Sequence, residues 1–126
     1  MKGIVFLGQH KLEIQEFEDP TPGPDEVILE IKASGMCGSD LKVYRAVEGP
    51  SSLGLGGEDK QVIAGHEPCG TIVELGKNVN KDNFKIDMNV MQHHYKGCGT
   101  CVHCSTGWQQ LCVDGVKEVF GVTGHG

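Results

Sequence analysis

Four of the six cysteines in this chain lie within fifteen residues, in the stretch CGTCVHCSTGWQQLC. Their spacing is C-x2-C-x2-C-x7-C, formed by Cys98, Cys101, Cys104 and Cys112. Zinc binds four thiolates in a closed tetrahedron, and two-residue spacings let one tight loop wrap the ion. The pattern therefore predicts a structural zinc lobe over about residues 95–115, with no coordination place open to a substrate.

Other interpretations of the cysteine cluster remain open. An iron–sulfur cluster is one, because thiolates also bind iron. Disulfides or simple packed thiols are another, while a redox pair fits three cysteines at successive two-residue spacings poorly. Since four sulfurs already fill a tetrahedron, we expect His103 to be a solvated surface side chain.

Two quieter stretches hold the remaining residues that could bind a metal. GMCGSDLK contains Cys37, and AGHEPCG contains His66, Glu67 and Cys69. Taken singly they are weak signals, because a lone cysteine is most often a small buried hydrophobe and a lone histidine a hydrogen-bonded structural residue. We expect Cys69 to be a packed thiol.

The bulk composition limits the function classes. The chain has 126 residues, the size of one domain, and a formal charge of −6, which disfavours binding to nucleic acid. No stretch is apolar for long enough to span a membrane, and the N-terminus lacks a signal-peptide cleavage pattern. We therefore expect a cytoplasmic protein with reduced thiols, in which a cysteine cluster indicates metal binding or catalysis.

Short alternating segments separated by glycine and proline predict a mainly β barrel or sandwich. EVILEIKASG is the strongest strand pattern, and SDLKVYR at 39–45 predicts a short helix capped by its first residues. Residues 46–61 are rich in glycine and serine and predict a long loop. The other predicted strands are 3–8, 11–17, 69–76, 84–94 and a segment from 118 onward.

Three motifs in this order resemble a known family. GMCGSDLK, AGHEPCGTIVELG and HYKGCGTCVHCSTGWQQLC are similar to the N-terminal catalytic domain of the zinc-dependent medium-chain alcohol dehydrogenases. The resemblance implies a GroES-like β-barrel over residues 1–126, with a zinc-binding lobe and one or two short helices. It also implies that the barrel is incomplete at its C-terminus and that the Rossmann domain for the cofactor is absent, so that the chain is a fragment.

The resemblance also assigns site residues. It implies a catalytic zinc held by Cys37 and His66, with Glu67 as a ligand or a nearby carboxylate. Ser39 matches the position that passes the alcohol proton onward, although it could instead cap the helix. Asp40 matches a carboxylate that hydrogen-bonds the zinc-binding histidine, although it could be a solvated loop residue. Lys42 stands where many relatives carry a histidine.

The function implied is the oxidation of an alcohol or polyol to an aldehyde or ketone, with hydride transfer to NAD or NADP. The implied cofactors are one catalytic zinc, acting as a Lewis acid, and one structural zinc. We expect small-molecule alcohol or carbonyl substrates, no nucleic-acid or membrane partner, and a homodimeric or homotetrameric parent enzyme. The isolated chain is expected to bind zinc without oxidising alcohol. The alternative is a stand-alone zinc-stabilised binding module with no catalytic activity.

Overall fold

The computed structural model describes residues 1–47 and 61–125, which form mainly short strands. This confirms the predicted mainly β fold with two short helices. The predicted loop at 46–61 falls largely outside the described residues. The elements in chain order are β1 (Lys2–Gly8), β2 (Lys11–Glu16), β3 (Val27–Gly35), α1 (Gly38–Arg45), β4 (Glu67–Leu75), β5 (Asn89–Met91), β6 (Tyr95–Lys96), α2 (Val102–Ser105), a 3-10 turn (Gln109–Leu111) and β7 (Glu118–Val119).

Within the described part of the chain, the strands form three antiparallel sheets that do not close into a barrel: β1-β2, β3-β4-β5 and β6-β7. The pairing of β3 with β4 is the part that matters for the site. Its register sets Gly35 opposite Glu67 and Ser34 opposite Pro68. The chain segments that leave β3 and enter β4 are therefore neighbours, although they are about thirty positions apart in the sequence.

The α1 helix is held in place by the hairpin of β1 and β2. The hairpin turn donates two backbone hydrogen bonds to the end of α1, from Gln9 N to Ala46 O at 2.9 Å and from His10 N to Tyr44 O at 2.8 Å. The Tyr44 ring also packs edge-on against Phe6, with 6.1 Å between centroids. These contacts fix the helix, and with it the residues at its N-terminus.

The buried apolar core is small. Val5 in β1 is 2% exposed and Ile72 in β4 is 0% exposed, while Ile63, which precedes β4, is 8% exposed. The alternation predicted for β3 does not appear as burial, since Ile31 is 45% exposed. All residues of β3 from Glu30 to Gly35 are exposed, so no element in the described part of the chain packs over either face of that half of the strand.

Replacing Ile72 with alanine should lower the free energy of unfolding by about 2–5 kcal/mol, because it removes buried methyl groups and leaves a cavity. Ile72→Val should cost about 0.5–1.5 kcal/mol. Urea unfolding of the zinc-loaded protein measures both. If Ile72→Ala lowered the free energy of unfolding by less than Ile72→Val, packing around β4 would not be what stabilises the core.

Two predicted strands are much shorter than expected. The segment 84–94 is extended only over Asn89–Met91, and the segment from 118 only over Glu118–Val119. Asp87 adopts a φ of 66°, a left-handed conformation that interrupts a ladder, which accounts for the late start of β5. No helix among the described residues is long and apolar enough to cross a membrane.

Candidate metal centres

Two groups of side chains bring ligand atoms together in the described part of the chain. In one group Cys37, His66 and Glu67 each offer a ligand atom, and in the other the four lobe cysteines do so. Within each group all ligand atoms lie within 4.8 Å of one another. A mixed sulfur, nitrogen and carboxylate set and a four-sulfur set are both donor sets that zinc accepts.

Cys37 is held at the start of α1 by a reciprocal cap. Its backbone N–H donates to Asp40 Oδ2 at 2.8 Å, and its Sγ accepts from the Ser39 backbone N–H at 3.4 Å. The N-cap is therefore Cys37, and the suggestion that Ser39 caps the helix is wrong. Because the carboxylate holds the backbone of Cys37, the position of the thiol is set by the helix terminus.

The His66 imidazole faces Cys37 and Ser39 with one nitrogen and Asp40 with the other. Nε2 lies 3.0 Å from Cys37 Sγ and 3.2 Å from Ser39 Oγ. Nδ1 lies 3.3 Å from Asp40 Oδ1, at ion-pair distance, but makes no hydrogen bond in this orientation. His66 is 8% exposed and Asp40 6% exposed, so Asp40 is buried rather than solvated.

Local hydrogen bonds favour the thiolate form of Cys37, which is the form that binds metals. The Ser39 hydroxyl lies 2.8 Å from Cys37 Sγ. This contact, followed by the Ser39 backbone N–H, holds the pKa of the Cys37 thiol below its usual value. Glu67 stands at the exposed first position of β4, next in the chain to His66, with its carboxylate inside the same cluster.

Sequence reasoning did not single out His94, which forms one side of this site. Its ring centroid lies 5.3 Å from that of His66 and 4.3 Å from that of Tyr95. Burial, followed by the charge of His66, lowers the pKa of His94, which favours the neutral imidazole. The signal was present in the sequence, in the pair of histidines just before the first lobe cysteine, but nothing local ties that pair to His66.

Other residues weighed from the sequence lie outside both clusters. Cys69 is half-buried within β4, between its pairing partners Ala33 and Met91. Lys42 is exposed on α1. His103 is half-buried on α2 rather than fully solvated.

The four-cysteine lobe is a loop whose backbone N–H groups point at its own sulfurs. Cys98 N donates to Cys112 Sγ at 3.3 Å, and Cys101 N donates to Cys98 Sγ at 3.4 Å. Backbone donors from Cys104 and then Val113 lower the pKa of Cys101 to about 6, whereas burial raises that of Cys104 to about 11. All six cysteines of the chain are free, so the disulfide interpretation is wrong.

Asp40→Asn should weaken metal binding at the Cys37 and His66 site by about 10–100-fold, the usual cost of losing a group that orients a ligand histidine. The variant keeps the size of the side chain but removes the charge that faces Nδ1 of His66. Competition with a chelator, followed by metal analysis, measures the affinity. The exposed Asp82→Asn is the matched control, and equal affinities in the two variants would show that Asp40 does not support His66.

The chain has relatives among characterised families. The model for the alcohol dehydrogenase GroES-like domain matches residues 23–126. The uncharacterized zinc-type alcohol dehydrogenase-like protein YphC of Escherichia coli K12 is 33% identical over 126 residues, covering 96% of this chain and 34% of YphC. Sorbitol dehydrogenase of Halalkalibacterium halodurans C-125 is 36% identical over 114 residues, covering 89% of this chain and 31% of that enzyme.

A solved structure shares the fold. It comes from Sinorhizobium meliloti 1021, contains bound NADP, and is 25% identical with a TM-score of 0.72 over 99% of this chain and 33% of the solved chain. The chain thus spans about a third of the length of the relatives it matches. The motifs, the mainly β fold and these matches agree, and the chain belongs to the alcohol dehydrogenase GroES-like domain family.

Proposed function

We propose that this chain provides the catalytic zinc site of a dehydrogenase that oxidises an alcohol or polyol to an aldehyde or ketone with NAD or NADP. The observation that carries the proposal is the convergence of Cys37, His66 and Glu67 within 4.8 Å, beside a separate cluster of four sulfurs. A set of three protein ligands leaves a coordination place free, whereas four thiolates close the shell. The first set therefore suits catalysis and the second suits structure.

The positions of the residues support the following proposed roles. Cys37 and His66 would hold the catalytic zinc, with Glu67 as a third ligand or a nearby carboxylate. A zinc ion bound there would polarise an alcohol or carbonyl oxygen as a Lewis acid. Asp40 faces the far nitrogen of His66 and orients the ring. The four lobe cysteines would hold the structural zinc.

We propose that the Ser39 hydroxyl moves the alcohol proton. Its hydroxyl lies within hydrogen-bond distance of both Cys37 Sγ and His66 Nε2. A hydroxyl can donate and accept at once, as a relay requires. Because Cys37 fills the helix cap, the side chain of Ser39 is not committed to α1. Lys42, which stands where many relatives carry a histidine, is exposed on α1. The proton would therefore pass from Ser39 to another residue or to water.

The relatives support a small-molecule alcohol, polyol or carbonyl substrate and a nicotinamide cofactor, since they include a sorbitol dehydrogenase and an NADP-bound protein. The parent enzyme is proposed to be a cytoplasmic homodimer or homotetramer without a nucleic-acid or membrane partner.

Metal analysis of the zinc-loaded protein tests the proposal. Two equivalents are expected, and a chelator should remove one of them first while the far-ultraviolet circular dichroism stays native, because only one site is open to exchange through a free coordination place. A single equivalent that cannot be removed without unfolding would support the alternative of a zinc-stabilised binding module.

Ser39→Ala should lower kcat of the complete enzyme by about 100-fold, a typical contribution of one positioned proton-transfer group. The zinc content and helix α1 should be unchanged, because the cap is Cys37. Ser39→Thr keeps the hydroxyl and is the matched control. Steady-state kinetics with NAD(P) measures both variants, and an alanine variant as fast as the threonine variant would remove Ser39 from the proton path.

A further inference from the structure

We propose that a direct backbone contact between Gly121 and Gly65 positions His66 for metal binding, an inference that rests on the proposed function. Gly65 immediately precedes His66, while Gly121 lies in the turn that follows β7, far away in the sequence. Gly65 belongs to the AGHEPCG stretch that carries His66, whereas Gly121 lies outside the three motifs and is not a member of either ligand cluster. Gly121 would therefore act through the backbone that carries the histidine.

The contact leaves no room for a side chain. A Cβ atom added at Gly121 would overlap the carbonyl oxygen of Gly65, and would lie 2.5 Å from the carbonyl carbon of Gly65 and 3.0 Å from the backbone nitrogen of His66. Both glycines also have positive φ, +117° at Gly65 and +74° at Gly121. The turn thus packs against the peptide bond that joins Gly65 to His66.

Both partners of the contact are anchored on their other sides. The turn is fixed by hydrogen bonds from Phe120 N to His94 O at 2.9 Å and from Gly121 N to Gly124 O at 2.8 Å. The segment before His66 is fixed to β1, because Ala64 N donates to Ile4 O at 2.7 Å. The Gly65 peptide therefore lies between β1 and the turn. A shift of the turn would displace this peptide, and with it the backbone of His66.

Besides this close contact, a hydrogen bond joins the same two segments. Ile63 N donates to Nδ1 of His125 at 3.2 Å, and the His125 ring packs against Phe17 with 5.2 Å between centroids. The two segments are thus held together on either side of Ala64. Since His66 Nε2 is 3.0 Å from Cys37 Sγ, a small displacement of the His66 backbone changes whether both atoms can reach one ion.

The test compares Gly121→Ala with Gly115→Ala. Gly115 has a matching φ of +77°, but a Cβ atom added there meets nothing within 4 Å. Both variants carry the same cost of a left-handed alanine, and only Gly121→Ala pushes on Gly65. We expect Gly121→Ala to weaken binding at the Cys37 and His66 site by about 10–100-fold, as when other groups that orient a ligand are lost. The lobe should keep its ion in both variants.

The readout is titration with cobalt(II), whose absorption bands differ between a four-thiolate site and a site with one thiolate and one imidazole. It reports the affinity of each site separately, so a general loss of stability would not shift one site alone. Two equivalents in the wild type with equal affinities in both glycine variants would overturn this inference and leave the proposed function standing. A single equivalent in the wild type would overturn both.

If Gly121→Ala does not fold, His125→Ala tests the same inference, because this substitution removes a contact between the two segments without adding any atoms. It removes the hydrogen bond to Ile63 N, and should weaken the same site by about two- to tenfold, the value of one hydrogen bond. Wild-type affinity at the Cys37 and His66 site in this variant, when Gly121→Ala fails to fold, would also overturn the inference.

Discussion

Cys37→Ser should remove one of the two zinc ions that we propose and should abolish alcohol oxidation by the complete enzyme, while the lobe should keep its ion. This is the largest functional effect that we expect. Cys37 Sγ is the atom that faces both His66 and Ser39, and serine offers a neutral hydroxyl where the site needs a thiolate. Losing a direct ligand should weaken zinc binding by more than about 100-fold, since loss of a supporting residue alone costs about 10–100-fold. Metal analysis after dialysis against a chelator measures the loss.

Cys69→Ser is the matched control for this variant. Cys69 is half-buried in β4 and belongs to neither ligand cluster in the described part of the chain. It should keep both ions, with at most a change in stability. Equal zinc content in Cys37→Ser and Cys69→Ser would remove Cys37 from the metal site.

Cys104→Ser should collapse the four-cysteine lobe, which is the largest effect on stability that we expect. Cys104 is buried, and burial raises its pKa to about 11, so only a bound cation stabilises its thiolate at neutral pH. We expect the free energy of unfolding to fall by about 5 kcal/mol, a fraction of the roughly 10–16 kcal/mol that structural zinc contributes in small zinc domains. Denaturant unfolding and metal analysis together measure the effect.

Ser105→Ala, next to Cys104 on α2, is the control for this variant. Its hydroxyl donates only to Val102 O at 3.1 Å on the exposed surface of the lobe. It should change stability by less than about 1 kcal/mol and keep both ions. If Cys104→Ser unfolds at the same denaturant concentration as this control, the lobe does not depend on the Cys104 sulfur.

The lobe was predictable from the sequence because its geometry is local. Four cysteines separated by two, two and seven residues can only fold back on one another, and the structure brings their sulfurs within 4.8 Å. The short helix after Cys37 and the two strands β1 and β2 were also predictable, because their sequence patterns are local, although the capping residue of the helix was not.

The pairing of Cys37 with His66 was not predictable from local patterns. It depends on the register of β3 against β4, which sets Gly35 opposite Glu67 and so brings together segments about thirty residues apart. Only the resemblance to a known family indicated it. The contact of His94 with His66 and that of Gly121 with Gly65 are also long-range, and neither was predicted.

Some local patterns were misleading. The polar Ser39 suggested a helix cap, but the preceding cysteine takes that place because Asp40 binds its backbone N–H. The alternating apolar residues of β3 suggested one buried face, yet Ile31 is 45% exposed. A strand pattern shows which face can be buried, and burial itself depends on what other elements pack against it.

Anomalous diffraction at the zinc absorption edge, from crystals of the zinc-loaded protein, tests the central claim most directly. We expect two peaks. One should lie about 2.3 Å from Cys37 Sγ and about 2.0–2.1 Å from a ring nitrogen of His66, and the other among the four lobe sulfurs. A single peak in the lobe, with Cys37 and His66 too far apart to share an ion, would contradict the assignment of a catalytic zinc site to this chain.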